Sequence, residues 1–288
     1  MERINPFSDF GFKRIFGQEE SKALLVDFLN SMLAGEKEIV DLVYRNTEQQ
    51  PEHVGGKLCI YDVYCTTADN EHIIVEMQFK KQANFKERAL YYLSRAIANQ
   101  GERGDTWKFH IDAVYGVFFM DFRFNESSKF RTDVVLSDRD TGDLFSDKLR
   151  QVFLELPQFT KTESECITPF DRWIYTLKHM ENLKTIPFQR FMTAFQQLEK
   201  VTNLASLSKE ERESYDQSLK IYRDNLAVVD FAEKQARAEG IAQGKAEGKA
   251  EGKAEEKIGI ALAMKKAGMA VATISQMTGL STDEIHFL

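Results

Sequence analysis

The stretch Ile111–Phe122 (IDAVYGVFFMDF) is apolar almost without a break, and from Ala113 to Met120 it carries no charge. A strand with one wet face alternates apolar and polar residues, so a strand without that alternation needs cover on both faces. Such a strand belongs in the middle of a sheet packed between helices. The rest of the first half agrees. Residues 19–34 set Leu24, Leu25, Phe28, Leu29 and Met32 on one helical stripe, and residues 84–100 do the same with Ala89, Tyr92, Leu93 and Ile97. Strands are predicted at Ile39–Tyr44, Lys57–Thr67, Ile73–Phe79, Thr132–Leu136 and Val152–Leu156. Helices interleaved with strands in this order predict one α/β domain over residues 1–160.

Residues 161–237 read as a helical region. Ser208 and Glu211 have capping-box spacing, and Leu219, Tyr222, Leu226 and Val229 follow at helical intervals. Residues 238–257 are of low complexity, with Gly-Lys-Ala-Glu at 244–247, 248–251 and 252–255. The period of four stacks Lys245, Lys249, Lys253 and Lys257 on one stripe and Glu247, Glu251 and Glu255 on another. Like-charged i,i+4 neighbours disfavour an isolated helix, and each Gly costs roughly 0.5–1 kcal/mol relative to Ala. Two readings stand: a solvated, marginal helix or tether, and a helix whose Gly/Ala stripe lets a second copy approach. Residues 258–288 read as a helix pair, the first ended by Gly279 and the second capped by Ser281 and Glu284. The pair has a helix-turn-helix outline, but its few basic side chains favour packing or self-association over groove binding.

The 288 residues carry a net charge of −7, which argues against a protein that coats nucleic acid while leaving room for a local basic surface. No apolar run reaches the ~18–20 residues of a membrane span, and the opening Met-Glu-Arg-Ile-Asn-Pro lacks an apolar signal core. The three scattered cysteines, Cys59, Cys65 and Cys166, suit a reducing compartment and support neither a disulfide framework nor a thiolate zinc site. A cytoplasmic protein without membrane contact is expected.

Chemistry concentrates in Tyr61–Lys80. A turn at Ala68-Asp69-Asn70 between two strand-like runs predicts an antiparallel hairpin, with Asp62 opposite Glu76. Directly opposed residues have Cβ atoms about 4.5–5.5 Å apart. Two carboxylates there repel unless a proton or a cation lies between them, and a hard divalent cation takes oxygen ligands at roughly 2.0–2.6 Å. Strand alternation puts Glu76, Gln78 and Lys80 on one face and Val75, Met77 and Phe79 on the other, toward the core. Carboxylate, carboxylate, amide and ammonium on one patch suit metal-assisted attack of water on a phosphodiester. Asp62 and Glu76 would hold Mg²⁺, Gln78 would orient the water, and Lys80 would offset phosphate charge. Spacing alone favours an exposed hairpin with ordinary polar residues outward.

Asp62 followed by Glu76-Met77-Gln78 resembles the PD-(D/E)XK nuclease core, with Gln in place of the usual Lys. The opening Asn5-Pro6-Phe7-Ser8-Asp9-Phe10-Gly11-Phe12-Lys13-Arg14-Ile15-Phe16-Gly17 is similar to the start of the Rpn family of recombination-promoting nucleases and transposases. Phe28-Leu29-Asn30, the Arg88–Tyr92 segment, the apolar strand at Val114-Tyr115 and the Gly-rich tail continue the likeness. The resemblance implies an α/β restriction-endonuclease-like core, a mixed sheet flanked by helices, with a helical C-terminal region. It implies a DNA endonuclease using Mg²⁺, or Mn²⁺, in recombination, mobile-element biology or phage defence. Asp62 and Glu76 would be metal ligands and Gln78 the third signature residue. Asp9 and Lys13 match the N-terminal motif, with Lys13 a candidate for phosphate contact and Asp9 for a structural role. Gln at the Lys position removes a cation that could stabilise hydroxide, which raises the interest of Lys80.

Lys80, Lys81, Lys86, Arg88 and Arg95 form a basic cluster that reads either as a solvated face or, with Tyr91 or Tyr92, as a strip for DNA phosphates. His53, His72, His110, His179 and His286 lack metal-ligand spacing. Asp138–Asp143 reads as a polar turn rather than a calcium loop, and Asn125-Glu126-Ser127 fits a glycosylation acceptor without secretory context. Three functions compete: a metal-dependent nuclease, a catalytically weak DNA-binding or assembly protein on the same scaffold, and a strand-transfer transposase, ranked last for want of a third carboxylate.

Overall fold

The computed structural model describes residues 2–49, 58–80, 82–102, 107–123 and 129–288. His53, Lys81 and the Asn125-Glu126-Ser127 acceptor lie outside the described residues. The chain divides into two units, Met1–Leu226 and Ala227–Leu288.

In the first unit, helices α1 (Asp9–Phe16) and α2 (Lys22–Met32) precede strands β1 (Leu42–Tyr44), β2 (Glu48–Gln49), β3 (Cys59–Ile60), β4 (Val63–Thr67) and β5 (His72–Gln78). Helix α3 (Phe85–Ala98) leads to β6 (Val114–Met120), β7 (Arg131–Ser137) and β8 (Leu144–Glu155). Helices α4 (Pro169–His179) and α5 (Ala194–Val201) follow, then the long α6 (Lys209–Lys266), whose residues from Ala227 onward belong to the second unit. Six strands form one mixed sheet in the order β1-β4-β5-β6-β8-β7, and β2 pairs with β3 in a separate ribbon. The β5–β6 and β6–β8 pairings are parallel and the others antiparallel. The α/β restriction-endonuclease-like architecture expected from the sequence is therefore present.

The uninterrupted apolar strand β6 is central because both of its faces are buried. Val117 and Phe119 enter one core with Val75, Met77, Val152 and Leu154 under α1, α2, α4 and α5. Val114 and Phe118 enter a second with Ile74, Phe153 and the α3 residues Phe85, Ala89 and Leu93. Phe119 meets the rings of Phe12, Phe28 and Phe16 at centroid separations of 5.6, 5.3 and 6.1 Å. Phe119→Ala is expected to cost about 3–5 kcal/mol, read as a lower urea midpoint with unchanged slope.

The helical residues after 160 share the first core: Trp173, Ile174, Phe195, Leu198, Tyr215 and Tyr222 pack with α1 and α2. The N-terminus is stitched to the same helices. Arg3 donates from Nη2 to Glu199 Oε1 at 2.6 Å, and Ile4 N–H donates to Thr202 O at 2.9 Å. Asn5 N–H donates to the Tyr215 hydroxyl at 2.9 Å and Phe10 N–H to Ser218 Oγ at 3.0 Å. Helix α1 itself is not among the helices read from the sequence, although Ser8 caps it through Gly11 N–H at 3.1 Å. Gly11 is required there, since a Cβ would run into the Asn5 carbonyl.

Two other elements differ from expectation, and a third takes one of the forms left open. β1 keeps only the end of Ile39–Tyr44, because the Asn30 amide takes up both backbone groups of Ile39. β8 is longer than Val152–Leu156, extending back to Leu144 as the arm of a hairpin with β7, whose turn has Gly142 at φ +79°. That hairpin is exposed over much of its length, so no buried apolar run marks it. The Gly-Lys-Ala-Glu segment is helical, within α6, and its side chains are exposed.

In the second unit, α7 (Val271–Thr278) and α8 (Thr282–Phe287) close a small core of Ala261, Ile274 and Ile285. Gly279 ends α7 in the left-handed region at φ +73°, and Ser281 with Glu284 forms the capping box of α8. Among the described residues no helix is long and apolar enough to cross a membrane.

Candidate active site

The hairpin register is the one read from the sequence. Val63 pairs with Val75 and Tyr64 with Ile74, so the next position outward brings Asp62 opposite Glu76. The two residues are tied across the ladder. Asp62 N–H donates to Glu76 Oε1 at 3.2 Å, and Met77 N–H donates to Asp62 Oδ2 at 2.7 Å. This is not an exposed hairpin. Glu76 is 4% exposed and Gln78 6% exposed, because α3 covers the face on which they stand. A carboxylate and an amide inside a strand covered on both sides, with a second carboxylate facing them from the other arm, depart sharply from what such strands carry.

Burial and the neighbouring charge act together on the pair. Desolvation, then the Asp62 carboxylate, push Glu76 up to about 8. Desolvation also raises Asp62, opposed by the Met77 N–H and by the charge of Lys13. At about 5 Å and an effective dielectric near 20, like charges repel by roughly 3 kcal/mol, so the pair favours a shared proton or cation.

Gln78 and Arg88 extend the site. The Gln78 amide donates from Nε2 to Lys80 O at 2.7 Å and accepts from Arg88 Nη2 through Oε1. Arg88 lies 4.0 Å from Glu76 Oε2, donates from Nη1 to Gln82 Oε1 at 3.0 Å, and stacks over Tyr92 with 5.5 Å to the ring centroid. Gln78 thus has both ends of its amide engaged, and it anchors a guanidinium beside the carboxylates. Arg88, read from the sequence only as part of a basic strip, is brought to the centre. The signal was present: Phe85, Arg88, Ala89, Tyr92 and Leu93 form one helical stripe, and a charged residue on a buried stripe needs a partner.

The N-terminal motif reaches the site by charge. Asp9 and Lys13 pair on α1 at 2.8 Å, and both act electrostatically on Asp62. Lys80 follows the end of β5 and is exposed. Lys86 is exposed on α3, and Arg95 is half-buried one turn past Tyr92.

The donor set fits a hard divalent ion. Asp62 Oδ1 and Glu76 Oε2 take no hydrogen bond among the described residues, whereas their partner oxygens are held by backbone. No cluster of three His, Cys, Asp or Glu occurs among the described residues. Mg²⁺ commonly uses one or two carboxylates and fills its remaining positions with water and substrate phosphate.

A family model described as PD-(D/E)XK nuclease family transposase matches residues 6–232. The chain belongs to that family. The match spans the sheet, α1 to α5 and the start of α6, and so takes in the helices after 160 that share the core. For this PD-(D/E)XK nuclease family transposase, the likeness read from Asp62, Glu76-Met77-Gln78 and the Asn5–Gly17 motif is borne out at the level of family. No curated protein and no solved structure matches the chain.

Proposed function

We propose that this nuclease-family chain is a metal-dependent DNA endonuclease acting in recombination, mobile-element biology or phage defence. The observation that carries the reading is the Asp62–Glu76 pair, in which a half-buried carboxyl faces the fully buried one of Glu76 across the hairpin. Asp62 and Glu76 would hold Mg²⁺ or Mn²⁺, which when bound supplies Lewis-acid polarisation of the phosphoryl group and a nucleophile at neutral pH. The chain's own residues do the rest. Gln78 fixes Arg88, and Arg88 offers Nη atoms to charge that develops on a phosphate beside Glu76. In a dry pocket such a fixed donor is worth far more than in water. Lys13 and Lys80 would add positive charge for the approaching backbone, with Lys86 and Arg95 further along it. Asp9 would hold Lys13 through their i,i+4 pair.

Supercoiled plasmid is expected to be nicked only with divalent cation, and Glu76→Ala or Asp62→Ala should remove the nicking altogether. Nicking that survives both substitutions sinks the site; plasmid binding without any nicking favours a DNA-binding scaffold instead. The same reading keeps the protein in the cytoplasm and has the C-terminal helices meet those of a second copy, for which Met277 and Phe287, 68% and 93% exposed, supply apolar surface.

A further inference from the structure

Next to Arg88, the start of β3 and the first turns of α3 line an open cavity of about 570 Å³. Its walls include Leu58, Gln82, Asn84, Glu87, Arg88 and Tyr91. Tyr91 is 45% exposed and Leu58 42%; Leu58 stands beside the buried Cys59, and Tyr91 beside Tyr92, which packs against the second core. Arg88 belongs to both places: Nη2 is at Gln78 and Glu76, while Nη1 is held by Gln82 at 3.0 Å. A strand that presents a phosphate to the carboxylates therefore passes Arg88, which also lines this cavity.

The lining chemistry distinguishes the occupants. Glu87 opposes Arg88, so the cavity has no surplus positive charge for a second phosphate. An exposed tyrosine ring and a leucine offer a stacking surface, and two primary amides offer donors and acceptors for a base edge. The volume lies within the roughly 300–1,000 Å³ typical of pockets for small organic groups. We propose that this cavity receives one unstacked base of the DNA strand being cut, with Tyr91 as the stacking residue. A base in a duplex has both faces stacked and its edge paired, so it reaches the cavity only by leaving the helix. The preferred substrate is then single-stranded or locally opened DNA. This inference rests on the endonuclease reading for the identity of its ligand.

Full-length protein carrying Glu76→Gln, which stops turnover, is titrated with a single strand containing 2-aminopurine and with the matching duplex. Binding of the single strand is expected to change the 2-aminopurine emission. Adding Tyr91→Ala should weaken single-strand affinity about 5- to 150-fold, the equivalent of one lost stack, and abolish the emission change. Tyr91→Phe should retain both, and duplex affinity should move less than twofold. The pocket is rejected if Tyr91→Ala alters neither signal, if it weakens strand and duplex equally, or if emission never changes. Nicking is scored separately on the wild type and on Tyr91→Ala alone. Metal-dependent nicking with Tyr91-insensitive binding rejects the base pocket alone; base capture by a protein that never nicks rejects the endonuclease alone.

Discussion

Glu76→Gln is expected to yield a protein that is more stable than the wild type and inactive. Glu76 sits at about 8 in the folded protein against 4.5 for an ordinary glutamate. Between those values the folded state keeps a proton that the unfolded state releases. The favourable contribution is complete below 4.5 and is lost as pH climbs through 8, leaving a charged, buried pair at alkaline pH. The amide keeps an acceptor for Asp62 N–H and carries no charge. At pH 8 in EDTA the gain should be on the order of 2–4 kcal/mol, or about 5–10 °C in Tm. At pH 4.5 the two proteins should melt alike. Mg²⁺ should raise the wild-type Tm and leave the variant's unchanged, since a ligand of the folded state stabilises only what it binds. Thermal melts at pH 4.5 and 8, with and without Mg²⁺, check each arm. A variant that melts below the wild type at pH 8 in EDTA would contradict a repulsive pair.

Arg88→Ala is expected to lower kcat by about 10²- to 10³-fold, the range for losing one fixed donor to developing charge. Two secondary readouts separate this from simple loss of structure. Arg88 opposes the upward push on Glu76, so its removal should carry the acidic limb of the rate profile toward higher pH. KM for DNA should change far less than kcat if Arg88 acts, as proposed, on the reacting phosphate rather than along the length of the strand. Arg88→Lys should restore part of kcat, though a point charge cannot bond Gln78 and Gln82 together as the fork does. Equal loss from Arg88→Ala and Lys86→Ala would mean a diffuse basic surface instead.

The sheet was legible where burial writes a strong pattern. β6 is apolar because it is covered on both faces, and the β4–β5 register follows from a short turn flanked by strand residues. Less legible was β8, whose first half is an exposed arm with no period to detect. The carboxylate pair could be aligned from spacing, but its burial depends on α3, which is contributed from further along the chain. For the same reason Gln78 looked like a water-positioning amide and Arg88 like a surface cation. Their bond is a tertiary contact between a strand end and a helix, and nothing local in either segment encodes it.

The stitching of residues 2–14 to residues 181–218 has a consequence during synthesis. As the nascent chain leaves the ribosome, α1 can pack on α2 and β6, but Arg3, Asn5, Phe10 and Arg14 still wait for Glu199, Tyr215, Ser218 and Glu211 to complete their polar ties. A polypeptide released near residue 160 would lack all four. The helix that carries Asp9 and Lys13 thus gains its polar anchors only after residues 199–218 have been made, well after the hairpin that carries the carboxylates.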